Sequence, residues 1–189
     1  MQTKWMLPVL AAAVFISGLS GCETVKEAEP TYDEAAYSRF IATNYAAADA
    51  LLSRYSTASI NNFSSGGGTF LVSTLADINR LEQSSTLGRL ISEQLSSRIS
   101  QRGNSVVEMK LRNSVFIKQN QGEFLLTREI RELASAHNAG AVMVGTYADG
   151  NTVAFVSLKL IDPTNGVILS SHDYALPMDR QVRRLLTKK

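Results

Sequence analysis

The spacing of apolar residues divides the chain beyond residue 31 into alternating helical and extended stretches. From Tyr32 to Tyr55, the residues Tyr37, Phe40, Ile41, Tyr45, Ala48, Leu51, Leu52 and Tyr55 recur at intervals of three and four. That period predicts a helix with one apolar face, and the alanines between them suit it. Phe70–Ala76 is apolar on both faces through Phe70, Leu71, Val72 and Leu75, as a central strand would be. Ser84 or Ser85 is placed to cap a helix running to about Arg102. Leu87, Leu90, Ile91, Leu95 and Ile99 form its expected buried stripe, and Gly103 stops it. Ser105–Met109 is a second short strand. Strand, helix and strand in this order predict a parallel crossover unit.

The second half changes period. Thr127 begins a helix with Ile130, Leu133, Ala134 and His137 on or near one face, ended by Asn138 to Gly140. Three strands follow in close succession: Ala141–Tyr147, Thr152–Ile161 and Val167–Ala175. Asp149-Gly150-Asn151 turns the first into the second, where Ala154, Val156, Leu158 and Leu160 line one face. Asp162-Pro163-Thr164-Asn165-Gly166 is a strong turn signal. A basic helix or tail follows Pro177. The expected fold class is therefore α/β (α+β). A mixed sheet of about five strands carries packed helices, with a parallel β-α-β unit early and an antiparallel meander late.

Two stretches resist the pattern. Ser56 to Thr69 contains Gly66-Gly67-Gly68, but no Gly-Lys-Ser/Thr follows, so a phosphate loop lacks its lysine and a hinge is the expectation. Lys110 to Leu126 combines Val115-Phe116-Ile117 with the polar run Lys118-Gln119-Asn120-Gln121-Gly122. Connections this long are often functional. Arg112, Phe116, Lys118, Gln119 and Asn120 are the candidate partner contacts there, with a plain edge hairpin as the alternative.

The N-terminus carries a different signal. Lys4 precedes an apolar run from Trp5 to Ile16, and small residues then lead into Leu19-Ser20-Gly21-Cys22. This is the composition of a secretory leader, and the run is shorter than the roughly 20 residues a spanning helix needs. Leu19, three residues before the cysteine, fits a lipobox. The expectation is cleavage between Gly21 and Cys22 with a covalent lipid on Cys22, and no other cofactor. An ordinary cleaved leader and an uncleaved anchor are the alternatives. Glu23 stands where aspartate retains lipoproteins in the inner membrane, which points to the outer membrane. The expected organisation is a leader over 1–21, a lipidated linker over 22–31, a helix and Gly-rich hinge over 32–68, an α/β domain over 69–178 and a basic tail over 179–189. The linker reaches roughly 30 Å at about 3.3 Å per residue, which keeps the domain near its membrane.

Charge and side-chain chemistry narrow the function classes. The formal charge of +2 gives no reason to expect nucleic acid. Acidic residues gather between Glu23 and Glu34, and basic ones in the last ten residues, where Arg180, Arg183, Arg184, Lys188 and Lys189 lie. Such a tail suits an acidic partner or a lipid surface, or is simply a solvated helix end. The single cysteine leaves no thiol for a disulfide in the folded part. His137 and His172 sit in no metal-binding pattern. There is no G-x-S-x-G elbow. Asp77, Glu82, Glu93 and Asp162 are scattered, with no spacing that singles out an acid/base pair. Asp162 reads as a turn initiator before Pro163. His172 and Asp173, as neighbours on a strand, point to opposite faces.

Several runs resemble the FlgO family. They are Leu71-Val72-Ser73-Thr74-Leu75-Ala76-Asp77-Ile78-Asn79, Ser85-Thr86-Leu87-Gly88-Arg89, and Val115-Phe116-Ile117-Lys118-Gln119-Asn120-Gln121-Gly122-Glu123-Phe124. Ala141-Val142-Met143-Val144-Gly145-Thr146-Tyr147 and Ile161-Asp162-Pro163-Thr164-Asn165-Gly166 extend the likeness over about Phe70 to Met178. The resemblance implies a flagellar outer-membrane lipoprotein with a structural, non-enzymatic role in motility. It implies a fold similar to the N-terminal domain of the TolB translocation protein. Its expected partners are the outer membrane, reached through the lipid, and flagellar outer-membrane-associated proteins, with homo-oligomers allowed. The same architecture occurs in lipoproteins that activate peptidoglycan synthases and in subunits of secretion channels. A periplasmic module that regulates such an assembly is thus the second expectation.

Overall fold

The computed structural model describes residues 39–58, 68–109 and 128–187. Helix α1 is Arg39–Ala58. Strands β1 (Thr69–Ser73) and β2 (Ala76–Asp77) precede helix α2 (Thr86–Gln101). Strand β3 (Ser105–Met109) and helix α3 (Arg128–Ala136) come next. The meander is β4 (Ala139–Asp149), β5 (Val153–Ile161) and β6 (Ile168–Pro177), followed by helix α4 (Arg180–Thr187).

All the strands share one sheet in the order β3-β1-β4-β5-β6. β1 is parallel to both β3 and β4, while β4–β5 and β5–β6 are antiparallel. The α/β class, the early parallel crossover, the late meander and the central place of β1 all match the sequence reading. The predicted strand over 70–76 is divided, because serines claim the backbone of Leu75. Its N–H donates to Ser92 Oγ at 2.9 Å, and its carbonyl accepts from Ser84 Oγ at 2.6 Å. The chain returns to the sheet as β2, where Ala76 and Asp77 pair with Thr146 and Tyr147 of β4. That two-residue piece raises the strand number from the expected five to six.

Local signals set the boundaries. Ser85 caps α2, its side chain accepting from the Gly88 N–H. Past the other end, Gly103 takes the left-handed conformation at φ 84°. Asp162 Oδ1 accepts from the Thr164 N–H at 2.7 Å, and the Gly166 N–H closes onto the Asp162 carbonyl at 2.9 Å. Asp162 is thus the turn initiator its sequence context suggests. The basic C-terminus is helical, with Val182 buried. Residues 32–38, predicted as the start of α1, lie outside the described residues.

The two faces of the sheet are covered unequally. On one, α1, α2 and α4 bury a core that includes Leu51, Phe70, Ile91, Met143, Leu158 and Val182. Ala154, Val156, Leu158 and Leu160 of β5 all point into it, each 2 % exposed or less. On the other, α3 sets Ile130 and Ala134 against Leu71, Val142, Val144 and Ile161. The cover of described residues stops there. Further along β5, Phe155 is 56 % exposed.

Candidate functional site

Two polar networks fasten the helices of the covered face. Asp49 of α1 accepts from Arg98 Nη2 at 2.7 Å and from Arg102 Nε at 2.7 Å, both on α2. Hydrogen bonds from Arg102 and then Arg98 hold the Asp49 carboxyl far below the usual carboxylate range, outweighing the cost of its partial burial. Arg98 also stands 5.4 Å from the centre of the Tyr45 ring. In the second network, the Tyr174 hydroxyl on β6 donates to Asn44 Oδ1, and Asn44 Nδ2 donates to Gln94 Oε1 at 2.6 Å. Burial pushes the Tyr174 phenol well above its ordinary pKa.

The outer side of α2 is different. There α2, the loop before it and the C-terminal ends of β1 and β3 enclose a cavity of about 300 Å³. Glu82 comes from the loop, Glu93 from α2 and Glu108 from β3. Glu108 pairs in register with Val72 of β1, whose side chain belongs to the helix-covered core. Among the described residues, Arg89 is the only basic one in the lining. It is held along its own helix turn by Thr86 Oγ1 at 3.0 Å and the Ser84 carbonyl at 3.4 Å. Among the described residues, none of these four charges enters an ion pair within 4.0 Å.

Ser84, Ser92 and Ser96 are among the residues that line this cavity. Ser92 Oγ is satisfied twice, accepting from Leu75 and donating to the Gly88 carbonyl at 2.9 Å. Ser96, one turn on, is 5 % exposed, and its Oγ has no hydrogen-bond partner among the described residues. A buried hydroxyl without a partner forfeits about 1–3 kcal/mol. Ser170 is the other such hydroxyl among the described residues, and it lies on β6 at the far edge of the sheet. Gly88 lets α2 seat beside the cavity: a Cβ there would stand 2.5 Å from Ser84 Oγ and 2.7 Å from the Leu75 carbonyl oxygen.

A second, shallower depression runs over the open part of the sheet. Thr146, Ala148, Phe155, Ser157, Asp173 and Ala175 line it, with Ile78 at its rim. Asp173 accepts from the Ser157 hydroxyl. His172 points to the other face, where its ring stacks with Tyr174 at 6.0 Å between centres. The two neighbours therefore diverge, as strand geometry requires.

Gly21, Cys22 and the candidate contacts Arg112, Phe116, Lys118, Gln119 and Asn120 all lie outside the described residues. So do Gly66 and Gly67. Among the carboxylates that seemed scattered in sequence, Glu82 and Glu93 meet in the cavity. Asp77 instead accepts from Asn79 and Arg80 in the turn after β2. His137 follows α3 directly and is exposed. Glu108 and Ser96 were not singled out by the sequence.

These features define an α/β module, its single sheet closed on one face by three helices and, among the described residues, only partly covered on the other. Residues 45–181 match the family described as "FlgO protein", and the chain belongs to that family. Among curated proteins, no sequence matches. Solved structures that align with it include the LpoB C-terminal domain from Escherichia coli. That match has a TM-score of 0.43 and 15 % identity, and covers 68 % of this chain and 96 % of the other. The PelC dodecamer from Paraburkholderia phytofirmans aligns with a TM-score of 0.42 and 14 % identity over 67 % of this chain and 84 % of that one. Lipoprotein GNA1162 from Neisseria meningitidis aligns with a TM-score of 0.36 and 16 % identity over 60 % and 83 %.

Proposed function

We propose that this chain is an outer-membrane lipoprotein with a structural, non-enzymatic role in assembling or stabilising the flagellum where it crosses the outer membrane. Membership of the FlgO family, over residues 45–181, is the observation that carries this reading. Two features support it. The leader-like N-terminus ends in a lipobox at Cys22, so a covalent lipid there would hold the domain at the membrane. Among the described residues, no helix is long and apolar enough to cross a bilayer. The partner is a flagellar outer-membrane-associated protein. Arg112, Phe116, Lys118, Gln119 and Asn120 contact it, combining two cations and two amides with one aromatic anchor.

Deletion of the gene tests the role. Loss of swimming with normal cell-wall integrity is the expected outcome. Normal swimming with hypersensitivity to β-lactams overturns it and favours regulation of a peptidoglycan synthase. A Cys22→Ser variant tests the anchor by membrane fractionation: it should leave the outer-membrane fraction, and retention there would refute the lipid.

A further inference from the structure

Positive charge is denser on α4 than on any other described element. From Asp179 onward the sequence carries Arg180, Arg183, Arg184, Lys188 and Lys189, with Asp179 as the one carboxylate side chain among them. Asp179 is engaged at the start of the helix, where its Oδ1 accepts from the Val182 N–H at 2.8 Å. The apolar side of α4 is taken by the fold: Val182 is buried, and Leu185 and Leu186 pack against the helix-covered core. The outward side is cationic, with Arg183 and Arg184 exposed. Arg183 is also held in place, its Nε donating to the Met178 carbonyl at 3.1 Å and its Nη2 to the Asn151 carbonyl at 3.1 Å. Both acceptors are neutral, and those bonds use only part of the guanidinium's donor fork. Among the described residues, Arg183 enters no ion pair within 4.0 Å.

A second observation, independent of composition, concerns where α4 lies. Strand β6 runs toward α4, and α1 crosses it in the opposite direction. Asn44, early in α1, bonds to Tyr174 near the end of β6, whereas Arg54, late in α1, reaches back to the Ser171 carbonyl at 3.4 Å. Phe40 packs against the same core as Leu185 and Leu186. Arg39, where the described chain begins, and α4 therefore share one end of the sheet. The segment that leads back to Cys22 leaves the domain from that end.

We propose that α4 docks on anionic phospholipid headgroups, with Arg183 and Arg184 turned to the phosphates. A guanidinium meets phosphate oxygens through paired N–H donors. Lys188 and Lys189 follow directly in sequence and add to the attraction. Because its apolar side is occupied by the core, the helix stays at the headgroup surface and does not insert. Its binding is electrostatic and screened by salt. The proposal rests on the lipoprotein reading: a lipid on Cys22 brings the membrane to the end of the domain where α4 lies, and α4 then sets how the domain stands on it. An acidic protein offers the same charge, but the tether delivers this end of the domain to a membrane.

Vesicle flotation of the full-length Cys22→Ser protein tests it, since that variant removes the lipid and leaves α4 untouched. Partition onto phosphatidylcholine vesicles containing phosphatidylglycerol, about one lipid in four, is compared with partition onto pure phosphatidylcholine. Any affinity of the N-terminal apolar segment then cancels. The anionic vesicles should be preferred by on the order of a hundredfold in low salt, and the preference should vanish at about 0.5 M NaCl. Arg183→Gln and Arg184→Gln should each reduce it about fivefold, the scale of one cation at an anionic surface. Arg183→Lys keeps the charge and should keep most of the preference. Lys188→Gln/Lys189→Gln, past the described helix, should lower it at unchanged Tm, which separates lost charge from lost folding. Arg128→Gln removes an exposed arginine paired with Glu132 on α3 and should change nothing. Equal partition onto the two vesicles, a preference that survives high salt, or a loss as large in Arg128→Gln as in Arg184→Gln overturns the proposal. Equal partition together with saturable binding to polyglutamate assigns α4 to an acidic protein instead. Failure of the lipoprotein reading shows elsewhere: the native protein then floats on pure phosphatidylcholine no better than Cys22→Ser, whatever the preference for anionic vesicles.

Discussion

The two sides of β5 set contrasting rules for the same nine-residue stretch of chain. Toward the helices, Ala154, Val156, Leu158 and Leu160 are sealed under α1, α2 and α4. Away from them, Phe155 is 56 % exposed, and its neighbours Ser157 and Asp173 bond to each other across the surface. An antiparallel sheet permits this division, since one face can stay wet. In the parallel part of the sheet β1 and β4 are buried on both faces, with α2 on one and α3 on the other, while β3 at the edge is exposed or half-buried throughout. The sealed side thus holds the fold together, while the open side is available for work that stability does not require.

The largest effect should come from the sealed side. Leu158→Ala removes a side chain with no exposure and should cost about 3 kcal/mol. Thermal unfolding should show it as a Tm drop of about 10 °C, and a loss under 1 kcal/mol would mean the core repacks freely there.

Next comes the clamp between α1 and α2. Asp49→Asn should cost about 1 kcal/mol, a figure kept small because the pair is partly solvated. Its signature is in the pH dependence. The folded-state pKa of Asp49 lies below the unfolded value of about 3.9. Its stabilisation is therefore complete above that value and is lost as pH falls toward the folded-state pKa. The parent and the variant should converge in stability on acidification from pH 6 to pH 2. A gap that persists undiminished would show that the carboxylate charge is not what the clamp uses.

The smallest effect belongs to the open side. Phe155→Ala should shift stability by no more than about 0.5 kcal/mol. A drop comparable to that of Leu158→Ala would show that something in the full chain covers Phe155, and the contrast between the faces would collapse.

Patterns confined to one element were legible in the sequence. The alternation in β5, the Asp162 turn and the Ser85 cap each appear where the residues put them, because each rests on neighbours a few positions away. Burial that depends on a distant partner was not legible. Asn44 breaks the apolar stripe of α1 yet is fully buried, because Tyr174 and Gln94 satisfy it. Ile41, on the predicted stripe, is 47 % exposed, and Leu90 is only half-buried. The cavity followed the same logic. Glu82, Glu93 and Glu108 lie at irregular separations, and only the β1-α2-β3 crossover makes them neighbours.

The bond from Tyr174 to Asn44 spans 130 positions of sequence. It ties the first described helix to the last strand, and Val182 beyond that strand completes the same core. A nascent chain that has not yet delivered β6 can dock α1 against α2, through the Asp49 clamp and the Asn44–Gln94 bond, but not against β6. Closing so long a loop makes folding a late event, slower than local helix formation. Any fragment ending before Ile168 leaves α1 without the β6 part of its seat, so such a fragment is a target for chaperones and proteases.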